Sequence, residues 1–170
     1  MTVAYFSLEH QNVIVVVKGA PEYVVPMVTH QSDSVNDMIE FDGTGKQGHN
    51  YLERVVSDQI ARSGNKALTF AYKIISLGEY TQMKKDNFDF ETEQGRASLE
   101  SDLTLLATFG FSDEIRADVY EAIEKLYNGG TNTRIVSGDH RDTVIALARH
   151  FKIIDEQSTE GVYSGEILRV

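Results

Sequence analysis

Val13-Ile14-Val15-Val16-Val17-Lys18-Gly19-Ala20-Pro21-Glu22 is the stretch that decides the fold class. Its first five residues are apolar and branched at Cβ, which restricts them in a helix and suits the pleated surface of a strand. Lys18-Gly19 closes the run, and Pro21 follows where a helix can begin. A first helical turn leaves its N–H groups unpaired anyway, and Glu22 faces the positive end of the dipole. A strand that passes directly into a short helix over Pro21 to about Thr29 is predicted. Upstream, residues alternate between apolar and polar, and His10-Gln11-Asn12 is polar, so two antiparallel strands with a tight connection open the chain.

Residues 31 to 48 are polar and contain Gly43, Gly45 and Gly48, which reads as a surface loop. Leu52, Val55, Val56 and Ile60 recur at helical spacing and Gly64 offers a stop. Leu68, Phe70, Tyr72 and Ile74 alternate with Ala67, Thr69, Ala71 and Lys73, the pattern of a strand with one apolar face. Two short helices around Glu79 and Ser98, joined by a linker through Asp86 to Gln94, then lead to a strand over Leu103 to Phe111. These 111 residues predict an antiparallel sheet with helices.

After Phe111 the pattern changes. Ile115, Val119, Ile123 and Leu126 mark a helix capped by Ser112 or Asp113 and ended by Gly129-Gly130. Arg134-Ile135-Val136 reads as a short buried strand, Gly138-Asp139 as a turn, and Thr143 to His150 as a helix. That order belongs to an open parallel sheet. The fold class expected is α/β (α+β), with one domain over 1–111 and part of a second over 112–170.

Composition bounds the function. The chain has 170 residues, 41% hydrophobic and 25% charged, enough for a core without staples. It has no cysteine, which removes disulfide frameworks, thiolate nucleophiles and zinc ribbons. The longest apolar run, Val13 to Val17, is far short of the ~20 residues that span a bilayer, and no signal peptide opens the chain. A soluble, cytoplasmic chain is the expectation. With 26 Asp+Glu against 16 Lys+Arg the net charge is −10. Nucleic acid is a poor partner for such a chain, because no clustered basic face is visible in the sequence.

Two places carry chemistry. Ser137-Gly138-Asp139 with Thr143 lies at the carboxyl end of the predicted parallel strand Arg134-Ile135-Val136, where ligands of open α/β sheets sit. A hydroxyl, a glycine that lets the backbone approach and the N–H groups of a following helix can together hold a phosphate. An Asp there repels a bare phosphate but accepts from a ribose hydroxyl or holds a cation's water. The plainer alternative is that Asp139 and Thr143 cap a helix. Lys18-Gly19 is the other place, where a lysine beside a glycine can reach an anion; a lysine that closes a strand is more often only solvated.

In order, these segments resemble the P-type cation-transporting ATPases, closest in texture to calcium pumps of the plasma-membrane type. Lys18-Gly19-Ala20-Pro21-Glu22 resembles the family's nucleotide-domain motif. Ser63-Gly64 through Lys66 to Ala71-Tyr72-Lys73 is similar to its segment of a glycine, a nucleotide-contacting arginine and a strand. Asp113-Glu114-Ile115-Arg116 resembles the hinge Asp-Pro-x-Arg, and Ser137-Gly138-Asp139-His140-Arg141-Asp142-Thr143 resembles Thr-Gly-Asp-Asn-x-x-Thr. The resemblance implies an N-terminally truncated nucleotide-binding domain over 1–111 and part of a haloacid-dehalogenase-like phosphorylation domain over 112–170.

Lys18, Gly19 and Lys66 would then line an ATP pocket. Ser137, Gly138 and Asp139 would approach the phosphate or ribose, and Asp113 and Arg116 would sit at the hinge. ATP with Mg is the implied cofactor pair, and the partners implied are the remaining phosphorylation, actuator and transmembrane domains at the cytoplasmic face of a membrane. No metal ligands are assigned within this chain.

The departures qualify this. The Asp-Lys-Thr-Gly-Thr and Gly-Asp-Gly-x-Asn-Asp motifs are absent from these residues, and Met1-Thr2-Val3 resembles the point just after the family's Phe-x-x-x-Arg-Lys segment. An excised piece, catalytically silent alone, is the expectation. Lys66 stands for arginine, keeping the charge without the planar fork. The rivals are a free-standing haloacid-dehalogenase-like phosphatase, a catalytically dead module on that fold, and an acidic interaction module. A phosphatase needs an Asp-x-Asp after an apolar strand; Asp89-Phe90-Glu91 is the nearest approach.

Overall fold

Val13, Val15 and Val17 point to one side of strand β2 (Asn12–Gly19) and are 3%, 0% and 3% exposed. Alternate residues of a strand share a face, and this face founds the core. The computed structural model describes residues 1–32, 38–112, 114–158 and 160–168. Strand β1 (Thr2–Ser7) runs antiparallel to β2 in the register Thr2↔Val17 to Ser7↔Asn12, the hairpin that the opening stretch predicts. Gln11 closes the connection with φ 53°.

The helix after β2 is shorter than predicted. Helix α1 covers only Pro21–Val24, a 3₁₀ turn follows over Val25–Met27, and the chain is strand β3 from Val28 to Ser32. Pro26 belongs to that turn, and proline cannot supply the N–H that a continuing α-helix needs. The predicted loop over 31–48 also carries structure, with strand β4 (Met38–Glu40) and the start of helix α2 (Lys46–Tyr51). Its glycines are packing devices. A Cβ on Gly48 would stand 1.9 Å from the carbonyl oxygen of Gly43, and one on Gly43 would stand 2.1 Å from that of Val25. Backbone therefore approaches backbone where any side chain would intrude.

Helix α2 continues as a π-helical stretch over Leu52–Ile60 and a 3₁₀ turn over Ala61–Ser63, and Gly64 ends it at φ 79°. Strand β5 (Lys66–Ser76) follows, then helices α3 (Leu77–Asp86) and α4 (Glu93–Leu99) and strand β6 (Leu103–Phe111). Among the described residues the six strands form one sheet in the order β1-β2-β5-β6-β3-β4. The sheet is mixed, because β3 lies parallel to β6 while β4 is antiparallel to β3. The expected antiparallel sheet thus includes one parallel pair, β3 with β6.

Strand β5 is inverted relative to its sequence pattern. Its register with β2 sets Val17 against Ala71, Val15 against Lys73 and Val13 against Ile75, and cross-strand partners share a face. Thr69 and Ala71 are therefore fully buried, whereas Ile74 is 55% exposed. The large valines of β2 and Leu103 of β6 fill the core, so small residues suit the inward side of β5.

The chain divides into two compact units, Met1–Arg54 with Ala67–Phe109 and Val55–Lys66 with Gly110–Val170. The first holds the valine core, with Val24, Val25, Val28, Phe41, Leu99 and Leu105 packed on it. In the second, helix α5 (Val119–Asn128) and helix α6 (Arg141–His150) are joined by Tyr120, whose hydroxyl donates to the His150 carbonyl at 2.7 Å. Helix α5 starts at Val119, well past its predicted cap at Ser112 or Asp113, of which Asp113 lies outside the described residues. Arg134-Ile135-Val136 is not a strand, and Val136 is 97% exposed. A strand exists only in a ladder, and among the described residues none pairs with this segment. No helix among the described residues is long and apolar enough to cross a membrane.

Candidate functional site

Lys18, next to the last residue of β2, is exposed and pairs in register with Phe70. Val17 points into the core, so Lys18 projects from the opposite face. Gly19 serves packing: a Cβ there would lie 3.2 Å from Cγ2 of Val24, which is 2% exposed.

The second unit joins two of the sequence motifs. The ammonium of Lys66 stands 3.4 Å from an Asp139 carboxylate oxygen, with the two side chains 50% and 34% exposed. Beside them the buried Thr143 donates its hydroxyl to the Asn65 carbonyl at 2.9 Å, across 78 positions of sequence. The Ser57 hydroxyl donates to Asp142. Asn65-Lys66 and the Ser137 to Thr143 segment are thus fastened by two adjacent links.

The predicted capping of α6 by Asp139 or Thr143 is replaced by a different residue. His140 is the cap, its Nδ1 accepting from the Asp142 N–H at 3.3 Å. Asp139 and Thr143 are thereby left to Lys66 and Asn65. Ser137 accepts from the Asp139 N–H at 3.1 Å, and apart from its chain neighbours no described residue lies within 4 Å of where a Gly138 Cβ would be. The turn is open on that side to an approaching ligand. Asp113 lies outside the described residues, and among the described residues Arg116 pairs with its near neighbour Asp118, at 3.4 Å.

Among the described residues no group of three or more His, Asp or Glu is gathered to hold a metal ion. Asp139 supplies one carboxylate. Magnesium takes one or two carboxylates and completes its shell with waters and substrate phosphates, so this donor set fits the cation only in company with a bound phosphate chain.

Two features escape the sequence reading. Lys73 turns inward from β5, donating to the carbonyls of Ser98 and Ser101 at 3.2 and 3.0 Å. Burial pushes its pKa below the usual lysine value, partly opposed by Asp102 and Glu79. It sits where the end of α4 exposes unpaired carbonyls, the favourable place for a cation. The other is a hollow of about 190 Å³ lined by Arg62, Arg141, Asp142, Ile145, Ala146 and Arg149. The four-residue spacing of Arg141, Ile145 and Arg149 puts them on one face of α6, a signal present in the sequence, but Arg62 comes from a distant segment. A clustered basic surface therefore exists despite the net charge of −10.

Residues 1–118 match the family described as P-type ATPase, cytoplasmic domain N. A probable phospholipid-transporting ATPase of Saccharomyces cerevisiae is 29% identical over 119 residues, covering 64% of this chain and 7% of the relative. Phospholipid-transporting ATPase VD of Macaca fascicularis is 27% identical over 150 residues, covering 81% and 22%. Plasma membrane calcium-transporting ATPase 3 of Homo sapiens is 29% identical over 137 residues, covering 81% and 10%. The chain thus spans between 7% and 22% of the length of these relatives.

Proposed function

This chain belongs to the P-type ATPase family through its cytoplasmic domain N, and on that premise we propose that it binds ATP for a larger pump. The observation that carries the reading is the pairing of Lys66 with Asp139 at 3.4 Å, beside the Thr143 to Asn65 bond. Lys18, Gly19, Lys66, Ser137, Gly138 and Asp139 are the proposed nucleotide contacts. Lys66 exchanges its carboxylate partner for a phosphate oxygen, a charge-assisted bond of comparable kind. Asp139, once released, accepts from a ribose hydroxyl or holds water on the magnesium that accompanies ATP. Asp113 and Arg116 are proposed as the hinge.

In the pump the γ-phosphoryl group passes to an aspartate of another segment, and the acyl phosphate drives transport. Residues 112–170 are read as part of the haloacid-dehalogenase-like phosphorylation domain. The cargo is a cation, calcium on the resemblance of texture, and the phospholipid-transporting relatives at 27–29% identity support a lipid as the second reading. The site faces the cytoplasm, and the remaining partners are the phosphorylation, actuator and transmembrane domains. Alone, the chain is silent in catalysis and binds ATP weakly, with Kd on the order of millimolar.

Calorimetric titration with ATP-Mg, run beside a p-nitrophenyl phosphate assay, tests this. Binding without turnover is expected. Turnover of the ester would instead favour the free-standing phosphatase, and the absence of binding at several millimolar ATP-Mg would remove the nucleotide reading.

A further inference from the structure

The arginine hollow of the second unit is separate from every residue proposed above for ATP. Its lining carries three guanidinium groups against the single carboxylate of Asp142. Two of the three have acidic neighbours: Arg62 pairs with Asp58 at 2.8 Å, and Arg141 stands 3.9 Å from Asp142. Asp142 is further engaged by the Ser57 hydroxyl. Among the described residues Arg149 has no such neighbour. Its Nε is shut off from solvent and finds no hydrogen-bond acceptor among the described residues.

A buried donor without an acceptor is costly, more so on a charged group. Helix-end electrostatics favour a cation at position 149 of α6 but leave that N–H unsatisfied. An anion entering the hollow removes the penalty once the Arg149 guanidinium turns its Nε–H toward it. Guanidinium forks match the oxygens of a tetrahedral oxyanion in pairs, and Ile145 and Ala146 give the hollow an apolar wall that strengthens the attraction.

We propose that this hollow binds a phosphate-class oxyanion, held chiefly by Arg149 with Arg141 and Arg62 at its rim. The anion is inorganic phosphate or the phosphoryl end of a larger ligand.

The test follows the Nε–Hε resonances of the full chain by NMR during titration with inorganic phosphate, with chloride at matched ionic strength as the control. A saturable shift at Arg149, absent with chloride, is expected, and Arg149→Gln should weaken it ~10-fold or more. Arg149→Lys keeps the charge without the fork and should weaken it too. Arg62→Gln, at an exposed position, repeats the test if the Arg149 variants fail to fold. An Arg149 resonance unmoved by tens of millimolar phosphate, or moved equally by chloride, overturns the proposal. ATP and adenosine separate the sources: a shift with ATP that phosphate competes away assigns the phosphoryl end of a nucleotide, and a shift with phosphate alone assigns the free anion. The Gly19 amide reports the ATP reading independently, so either idea can fail alone.

Discussion

Replacing Asp139 by asparagine removes the carboxylate that holds Lys66 and leaves a side chain of the same shape. At 3.4 Å two unit charges attract by ~1 kcal/mol in water-like surroundings. The partners are 50% and 34% exposed, and pairs of that kind net about 0.2–1 kcal/mol once screening and side-chain entropy are counted. A phosphate that recruits Lys66 must first overcome this attraction. Asp139→Asn should therefore tighten magnesium-free ATP binding, by about two- to five-fold at the upper half of that range. Lys66→Ala should act oppositely and more strongly, since a charge-assisted hydrogen bond contributes ~1.5–3 kcal/mol, or roughly tenfold and more in Kd. With magnesium present the asparagine variant should lose its advantage, because Asp139 is then needed to hold a water of the cation. Calorimetry with and without magnesium reads all three effects. Weaker magnesium-free binding by Asp139→Asn, or unchanged binding by Lys66→Ala, would refute the exchange of partners.

Three further outcomes concern the scaffold. Gly48→Ala should lower stability by about 1–3 kcal/mol, because its Cβ would stand 1.9 Å from the Gly43 carbonyl oxygen; an unchanged urea midpoint would contradict the close approach. Thr143→Val strands the Asn65 carbonyl and should cost ~1–3 kcal/mol, read as a lower thermal midpoint with α6 still helical by circular dichroism. Lys73 carries a pKa lowered by burial, so above the folded value the unfolded chain binds more protons and stability rises with pH toward the ordinary lysine value. Denaturant midpoints of wild type relative to Lys73→Met should therefore improve as pH climbs into that window, and a flat difference would refute the burial effect.

Much of the first unit was legible in local chemistry. The β-branched run over Val13 to Val17 became β2, and Leu103 to Phe111 became β6, because such residues favour extended backbone almost independently of context. Strand β5 shows where this ends. Its apolar alternation located the strand but named the wrong inward face, since register with β2 decided the matter. Arg134-Ile135-Val136 carries a similar signal and forms no strand, because among the described residues no segment pairs with it. Residues 31 to 48 failed for the opposite reason: glycines that mark loops also permit backbone to touch backbone, and only the fold tells the two apart. At the site, the motifs gave Lys66 and Asp139 as separate candidates. Their pairing, the cap at His140 and the union of Arg62 with Arg141 and Arg149 arise from tertiary contacts that local spacing does not encode.

Amide chemical shifts during an ATP titration of the wild-type chain bear most directly on the claim that this domain binds nucleotide through its lysines. Saturable shifts at Gly19 and Lys66, absent from the Lys18→Ala/Lys66→Ala double variant and not produced by adenosine at the same concentration, are predicted. Unmoved resonances at both positions up to several millimolar ATP, or equal shifts in the double variant, would contradict it.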